Sequence, residues 1–424
     1  MSLVMLFTMV VCFALTISVA VSIGLAAVLG VQISGVNMLI SVKEIYSSIN
    51  KFPLAAIPFF ILAGNIMETG GISRRLVDFA KSIVGGVQGG LPMTCVLTCM
   101  IFAAVSGSSV ATTFAIGAIL IPALIKHGYP KTYAASLQAT SAELGVIIPP
   151  SIPMILYGVS AEVSIGELFI AGFGPGVLIG GALMLFVWAY CKYKGWGKND
   201  GDGRLSFGRA TVQAGWALMM PVIILGGILT GIVTPTEAAA IAVLYAVVVG
   251  MLVFRTVRVA DLLEMCVRTA RVTGIVFLII ASASILSWWM TFEQIPQALA
   301  AAFLSVSKEP WAVKAMILAL LFVIGMVLDI NAALIILAPV LGTLTASIGM
   351  DPVHAGIMIV LALNIGLMTP PVGACLFVLC SITGEKLENI AKSLWPFIIV
   401  ETLVLVIITF WSDLAMLGPR LLLN

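Results

Sequence analysis

The chain has 424 residues, 61% of them hydrophobic and 9% charged, with a mean hydropathy of +1.18. Soluble domains carry about 25% charged residues, so an ordinary soluble fold is excluded for want of charges to cover its surface. A net charge of +2 gives no electrostatic footprint for a nucleic-acid partner. A bilayer core is crossed by about 20 apolar helical residues. Stretches of that size recur often enough to predict about ten to twelve crossings.

The first apolar run, residues 3–29, has no basic segment before it and is too long for a signal-peptide core. It is predicted to be a first transmembrane helix. Further on, Ser106-Gly107-Ser108-Ser109 interrupts a second apolar region. Pro122, Gly128-Tyr129-Pro130 and Leu144-Gly145-Val146-Ile147-Ile148-Pro149-Pro150 follow. Ser164 with Glu167 reads as a helix cap. The most polar stretch, residues 192–209, sets Lys192, Lys194, Lys198, Arg204 and Arg209 against Asp200 and Asp202. Short basic loops face the cytoplasm. Two apolar segments, 212–233 and 238–253, then lead to a second basic run at Arg255, Arg258, Arg268 and Arg271, on the same side after two crossings.

Thr234-Pro235-Thr236-Glu237 joins those two segments. Thr at the N-cap, Pro at the first helical position and Glu at the third form a capping box. Glu237 is then either a cap or a carboxylate on a transport path, since acids at membrane depth are costly and usually functional. Asp351-Pro352 is another helix start. The seven cysteines, Cys12, Cys95, Cys99, Cys191, Cys266, Cys375 and Cys380, read as small core residues. Cys95 and Cys99 lie one turn apart without the further ligands of a zinc site. His127 and His354 stand beside loops and are expected to face water.

The first interrupted region has a counterpart: Asp329-Ile330-Asn331, Pro339, Gly349-Met350-Asp351-Pro352 and Ile365-Gly366-Leu367-Met368-Thr369-Pro370-Pro371. In both halves a Gly stands four residues before the first Pro of a pair. Duplicated, interrupted apolar segments point to a transporter's binding site. A Pro removes the N–H that would bond the carbonyl four residues earlier. Pro149 and Pro150 are therefore expected to release the carbonyls of Gly145 and Val146, and Pro370 and Pro371 those of Gly366 and Leu367. Oxygen donors of this kind suit a hard cation such as sodium. The partner segments are 105–111 and 325–332. Their Ser106, Ser108, Ser109, Asp329 and Asn331 bring side-chain oxygens to two expected hairpin tips, beside helix N-termini suited to an anion. Glu143 precedes Gly145 as Asn364 precedes Gly366. Each is read as orienting a site or as bonding a neighbouring helix.

The stretches AIPFFILAGNIMETGGISRRLVDFAKSIVGG, FAAVSGSSVATTFAIGAILIPALIKHGYPK and LGVIIPPSIPMILYG, with TPTEAAAIAVLYA and NIGLMTPPVG later, resemble the large membrane subunit of the tripartite ATP-independent periplasmic (TRAP) transporters. The likeness runs from about Ile49 to the last apolar segment. It implies an all-α, multi-pass protein of the bacterial inner membrane. Inverted repeats, two re-entrant hairpins and broken helices would move as an elevator. It implies sodium-driven import of a small organic anion. A small membrane subunit and a periplasmic substrate-binding protein would be the partners, and lipid the surroundings.

Carried over, the resemblance puts one sodium ion at Ser106, Ser108, Gly145, Ile148 and Pro150. A second falls at Gly325, Gly366, Thr369 and Val372. Substrate falls to Ser108, Ser109, Asp329 and Asn331, with Glu143 and Glu237 as coupling or structural acids. Sialic acid is the favoured cargo, then C4-dicarboxylates and other organic acids. The expected units of the single membrane body are 50–190, 191–270, 271–395 and 396–424. The other readings are a proton-coupled organic-anion transporter and an anion channel working without a binding protein. A primary pump lacks its phosphate loop and a metalloprotease its His pair.

Overall fold

A computed structural model describes residues 2–198, 204–370 and 373–422. Asp200, Asp202, Pro371 and Val372 therefore lie outside the described residues, and the readings placed on them go no further. The described chain is helical. An outer group begins with α1 (Ser2–Ala14), α2 (Val19–Ile33) and α3 (Leu39–Ile49). It continues with α4 (Ala56–Thr69) and α5 (Ile72–Val84). An inner group follows with α6 (Gly90–Ser106), α7 (Ser109–Lys126), α8 (Lys131–Ile147) and α9 (Ile152–Ser160), and then α10 (Ile165–Lys194). The outer group resumes with α11 (Phe207–Leu229), α12 (Pro235–Val248) and α13 (Val259–Phe292). The second inner series is α14 (Ile295–Val306), α15 (Pro310–Gly325), α16 (Ile330–Ser347), α17 (Pro352–Met368) and α18 (Ala374–Thr383). The chain closes with α19 (Leu387–Phe410) and α20 (Ser412–Leu422).

Several expected helix starts are present with their caps. Thr234 and Glu237 make the full capping box on α12. Ser164 Oγ accepts the Glu167 N–H at 3.3 Å. Asp351 Oδ1 accepts the N–H groups of Val353 and His354 at 2.8 and 3.1 Å. Each satisfies donors that a helix start leaves orphaned.

Other expectations change. Residues 3–29 do not form one helix. The chain turns after Ala14, with Thr16 at a left-handed φ of 59°, and α1 packs back on α2. Among the described residues, eight helices are long and apolar enough to cross a membrane, or nine if the pair α8–α9, bent by 43°, counts as one span. The expectation of ten to twelve counted apolar segments that are too short to cross alone, α6, α15 and α17 among them. The divisions expected at 190/191, 270/271 and 395/396 fall inside the continuous helices α10, α13 and α19.

The centre of the inner group is α8 against α17. Every residue of α8 from Tyr133 to Ile147, and of α17 from Val353 to Met368, is buried. Asn364 Nδ2 donates to the Glu143 carbonyl at 3.1 Å, and Tyr157 Oη to the Pro352 carbonyl at 3.0 Å. The two halves are thus joined at their broken helices. His354, expected in water, is 1% exposed because α17 is enclosed, and its Nε2 meets the Ile408 carbonyl of α19 at 2.9 Å. His127 is exposed as expected. Cys266 is exposed and Cys380 half-buried, so these two are not core residues; the other five are buried. The outer helices leave large apolar side chains uncovered, such as Val212, Leu244 and Ile275. Such a face suits hydrocarbon, in which the helix satisfies its own backbone groups.

Candidate functional site: two hairpin tips against two helix breaks

The first tip is made by α6 and α7, which turn at Gly107. Its φ is +63°, and a Cβ there would stand 2.7 Å from the Pro150 carbonyl oxygen. Only glycine combines that dihedral with that approach. The tip carbonyl of Gly107 accepts the Ile152 N–H, which opens α9, at 3.4 Å. Ser108 caps α7, its Oγ accepting the Ala111 N–H at 3.4 Å.

Thr112, one turn into α7, donates from Oγ1 to the Ser108 carbonyl at 2.8 Å and lies 3.0 Å from Ser106 Oγ. A Cβ on Gly145 would sit 2.9 Å from both the Ser108 carbonyl oxygen and Thr112 Oγ1. Ser106, Ser108, Gly145 and Pro150 are therefore brought together as expected. Ile148 lies at the break between them, its side chain against Gly176 of α10. Thr112 is an addition that the sequence reading passed over, because it stands outside the tip motif.

The expected release of carbonyls is realised in part. Pro149 has no N–H for Gly145. The Val146 carbonyl, however, is taken by Ser151 Oγ, which also caps α9. In the second half the Thr369 N–H donates to the Gly366 carbonyl at 2.9 Å, so Pro370 does not leave that oxygen unbonded. Thr369 Oγ1 donates to the Ile365 carbonyl at 3.1 Å.

The second tip, between α15 and α16, meets its break without hydroxyls. A Cβ on Gly325 would be 2.8 Å from the Leu363 carbonyl oxygen, and one on Gly366 would be 2.9 Å from the Gly325 Cα. Gly325, Gly366 and Thr369 are assembled accordingly. Asp329 caps α16 through Oδ1, which accepts the Asn331 N–H at 3.0 Å.

The two acids separate. Glu143 is enclosed between α8, α17 and α19, its Oε2 buried without a hydrogen bond, as is Oε2 of Glu401. The two carboxyl groups interact electrostatically. The Glu143 backbone, with Asn364, provides the helix-to-helix bond anticipated as one of two readings. Glu237 spends Oε2 on the Thr234 N–H and hydroxyl, both at 2.8 Å, on an exposed helix start. It is a cap, not a lining of the tips.

A cavity of about 430 Å³ adjoins both tips. Its walls combine Ser106, Ser108, Phe114 and Asn331 of the inner group with Asn65 and Glu68 of α4 and Arg268 of α13. Asn331 Oδ1 is buried without a partner. Ser109 and Asp329 are not in this wall. Asn65, Glu68 and Arg268 escaped the sequence reading because they lie some 200 residues apart along the chain.

Residues 5–414 match the family described as tripartite ATP-independent periplasmic transporter, DctM component. The chain is 43% identical over 366 residues to an isethionate TRAP transporter permease of Oleidesulfovibrio alaskensis, covering 86% of this chain and 58% of that protein. It is 37% identical over 380 residues to a C4-dicarboxylate TRAP transporter large permease of Pseudomonas aeruginosa, covering 89% and 88%. The crystal structure of the Alcanivorax borkumensis YdaH transporter shares the fold at a TM-score of 0.66 and 13% identity, over 91% of this chain and 88% of that one.

Proposed function

The chain belongs to the DctM family of tripartite ATP-independent periplasmic transporters, and from that premise we propose that it imports a small organic acid, driven by sodium, through an elevator movement of its inner helices. It is a multi-pass membrane transporter and not an enzyme. A small membrane subunit and a periplasmic binding protein complete the import system, in the bacterial inner membrane. Lys192, Lys194, Lys198, Arg204 and Arg209, with Arg255 and Arg258, face the cytoplasm on the asymmetry of Lys and Arg, whereas Arg268 lies within α13 on the cavity wall.

The observation that carries this reading is the cavity shared by the two hairpin tips and the outer helices. Residues of the hairpins and residues of α4 and α13 both touch whatever fills it. A shift of one group against the other would then carry cargo across, the behaviour of repeats that rock about a fixed site. Sodium is co-substrate here. The first tip supports it: the Ser106 and Thr112 hydroxyls and the Ser108 carbonyl lie within hydrogen-bond distance along one line, a neutral oxygen set close against Gly145. Hard cations take such ligands. In the second half, Gly366 and Thr369 already share their oxygens with the helix end, so that ion relies more on backbone shape. Cargo is a carboxylate or sulfonate; isethionate, C4-dicarboxylates and sialic acid form the panel to try.

The test is uptake into proteoliposomes holding the complete transporter, with each acid presented by its binding protein. Accumulation that follows an imposed sodium gradient and vanishes when the gradient is collapsed is expected. Uptake driven equally well by a proton gradient in sodium-free medium would favour the proton-coupled reading. Equilibration without accumulation would favour a channel.

A further inference from the structure

Among the described residues lining the cavity, Arg268 carries the only positive charge and Glu68 the only negative one. Both come from the outer helices. Asn65, one turn before Glu68 on α4, donates from Nδ2 to Oγ1 of Thr269, the neighbour of Arg268 on α13, at 3.0 Å. That bond fixes the two charged side chains on one wall. Glu68 and Arg268 interact electrostatically but are not in ion-pair contact; among the described residues Arg420 and Asp413 form the only such pair. The facing wall is neutral and acceptor-rich, with Ser106, Ser108 and Asn331. Apolar side chains such as Phe102, Phe114 and Val272 line the rest.

We infer that Arg268 anchors the acid group of the cargo in this cavity, and that Glu68 competes with the cargo for the same guanidinium. This rests on the reading of the cavity as the cargo site. An oxyanion entering beside the hairpin tips meets one cation able to grip two of its oxygens at once. Carboxylate and sulfonate groups both supply such oxygens. When the cargo leaves, the half-buried Glu68 carboxylate is the charge left to face the Arg268 guanidinium. Because both residues stand on outer helices, the anchor is engaged only while the tips lie against α4 and α13. It therefore sets affinity on one face of the membrane and release from it.

The experiment is counterflow in proteoliposomes of the complete transporter, using radiolabelled isethionate, succinate and N-acetylneuraminate. Arg268→Gln is expected to raise KM for the transported acid about tenfold or more, the scale of a lost charge-assisted bond, with the sodium for half-maximal rate unchanged. Arg268→Lys should recover part of the loss, since it keeps the charge without the fork. Glu68→Gln is expected to move the other way, lowering KM and slowing turnover through tighter holding. Wild-type KM in Arg268→Gln would overturn the anchor. Should that variant fail to fold, unchanged KM in Glu68→Gln would overturn it instead. Wild-type protein that moves none of the three acids would overturn the cargo reading itself, and the anchor with it.

Discussion

The two hairpins approach equivalent breaks through different chemistry. At the first, Ser106, Ser108 and Thr112 share hydrogen bonds across a tip that presses on Gly145 and Pro150. At the second, two glycines meet backbone to backbone, and Asp329 turns its carboxylate onto its own helix start. Duplicated segments thus keep close backbone approach in common, and the first half adds side-chain oxygens to it. The first should respond to loss of polarity, the second to added bulk.

The largest effect should come from bulk at the second tip. Gly366→Val places its Cβ 2.9 Å from the Gly325 Cα, and no rotamer relieves a clash with main chain. Overpacking of this kind costs about 1–3 kcal/mol or more. We expect loss of nearly all uptake and a lower melting temperature in detergent; uptake near wild type at matched expression would break the contrast. Gly145→Ala should come next. Its Cβ meets both the Ser108 carbonyl and the Thr112 hydroxyl at 2.9 Å, and the hydroxyl can turn away. A roughly tenfold rise in the sodium needed for half-maximal uptake is expected, with the protein still folded.

Thr112→Val removes the donor to Ser108 while nearly keeping volume, and leaves the Ser106 hydroxyl without its neighbour. A sodium shift of about three- to tenfold is the expected reading, with Thr112→Ser close to wild type. Equal behaviour of the Ser and Val variants would show that the hydroxyl is irrelevant. Thr369→Val should do less, about two- to threefold, since that hydroxyl already serves Ile365. Smallest of all is Glu237→Gln. It weakens the capping box on α12 and should lower thermal stability slightly while leaving sodium dependence untouched. An altered sodium titration would return Glu237 to the transport path.

The hairpins, the breaks and the glycines that bring them together were legible because Pro, Gly and capping residues act locally. They remove an N–H, permit a dihedral or satisfy a helix end wherever the chain goes. The same local logic misjudged what neighbours would do with the freed groups. Ser151 takes the Val146 carbonyl, and the Thr369 N–H takes that of Gly366. His354 follows a turn signal yet is buried, because α17 is enclosed on every side by helices that no short pattern announces. The outer wall was illegible for the same reason. Asn65 and Thr269 are bonded across 204 positions, and nothing near either residue foretells it.

The bond from the Ile152 N–H to the Gly107 carbonyl has a consequence for how the first hairpin opens. The start of α9 borrows its acceptor from a different segment, so lifting the tip exposes an unpaired donor at a helix end. In a dry surrounding that exposure costs about 1–3 kcal/mol; where water can reach the donor, the cost largely disappears. Were the tip to lift, a dry surrounding would therefore oppose the movement and water reaching that donor would ease it.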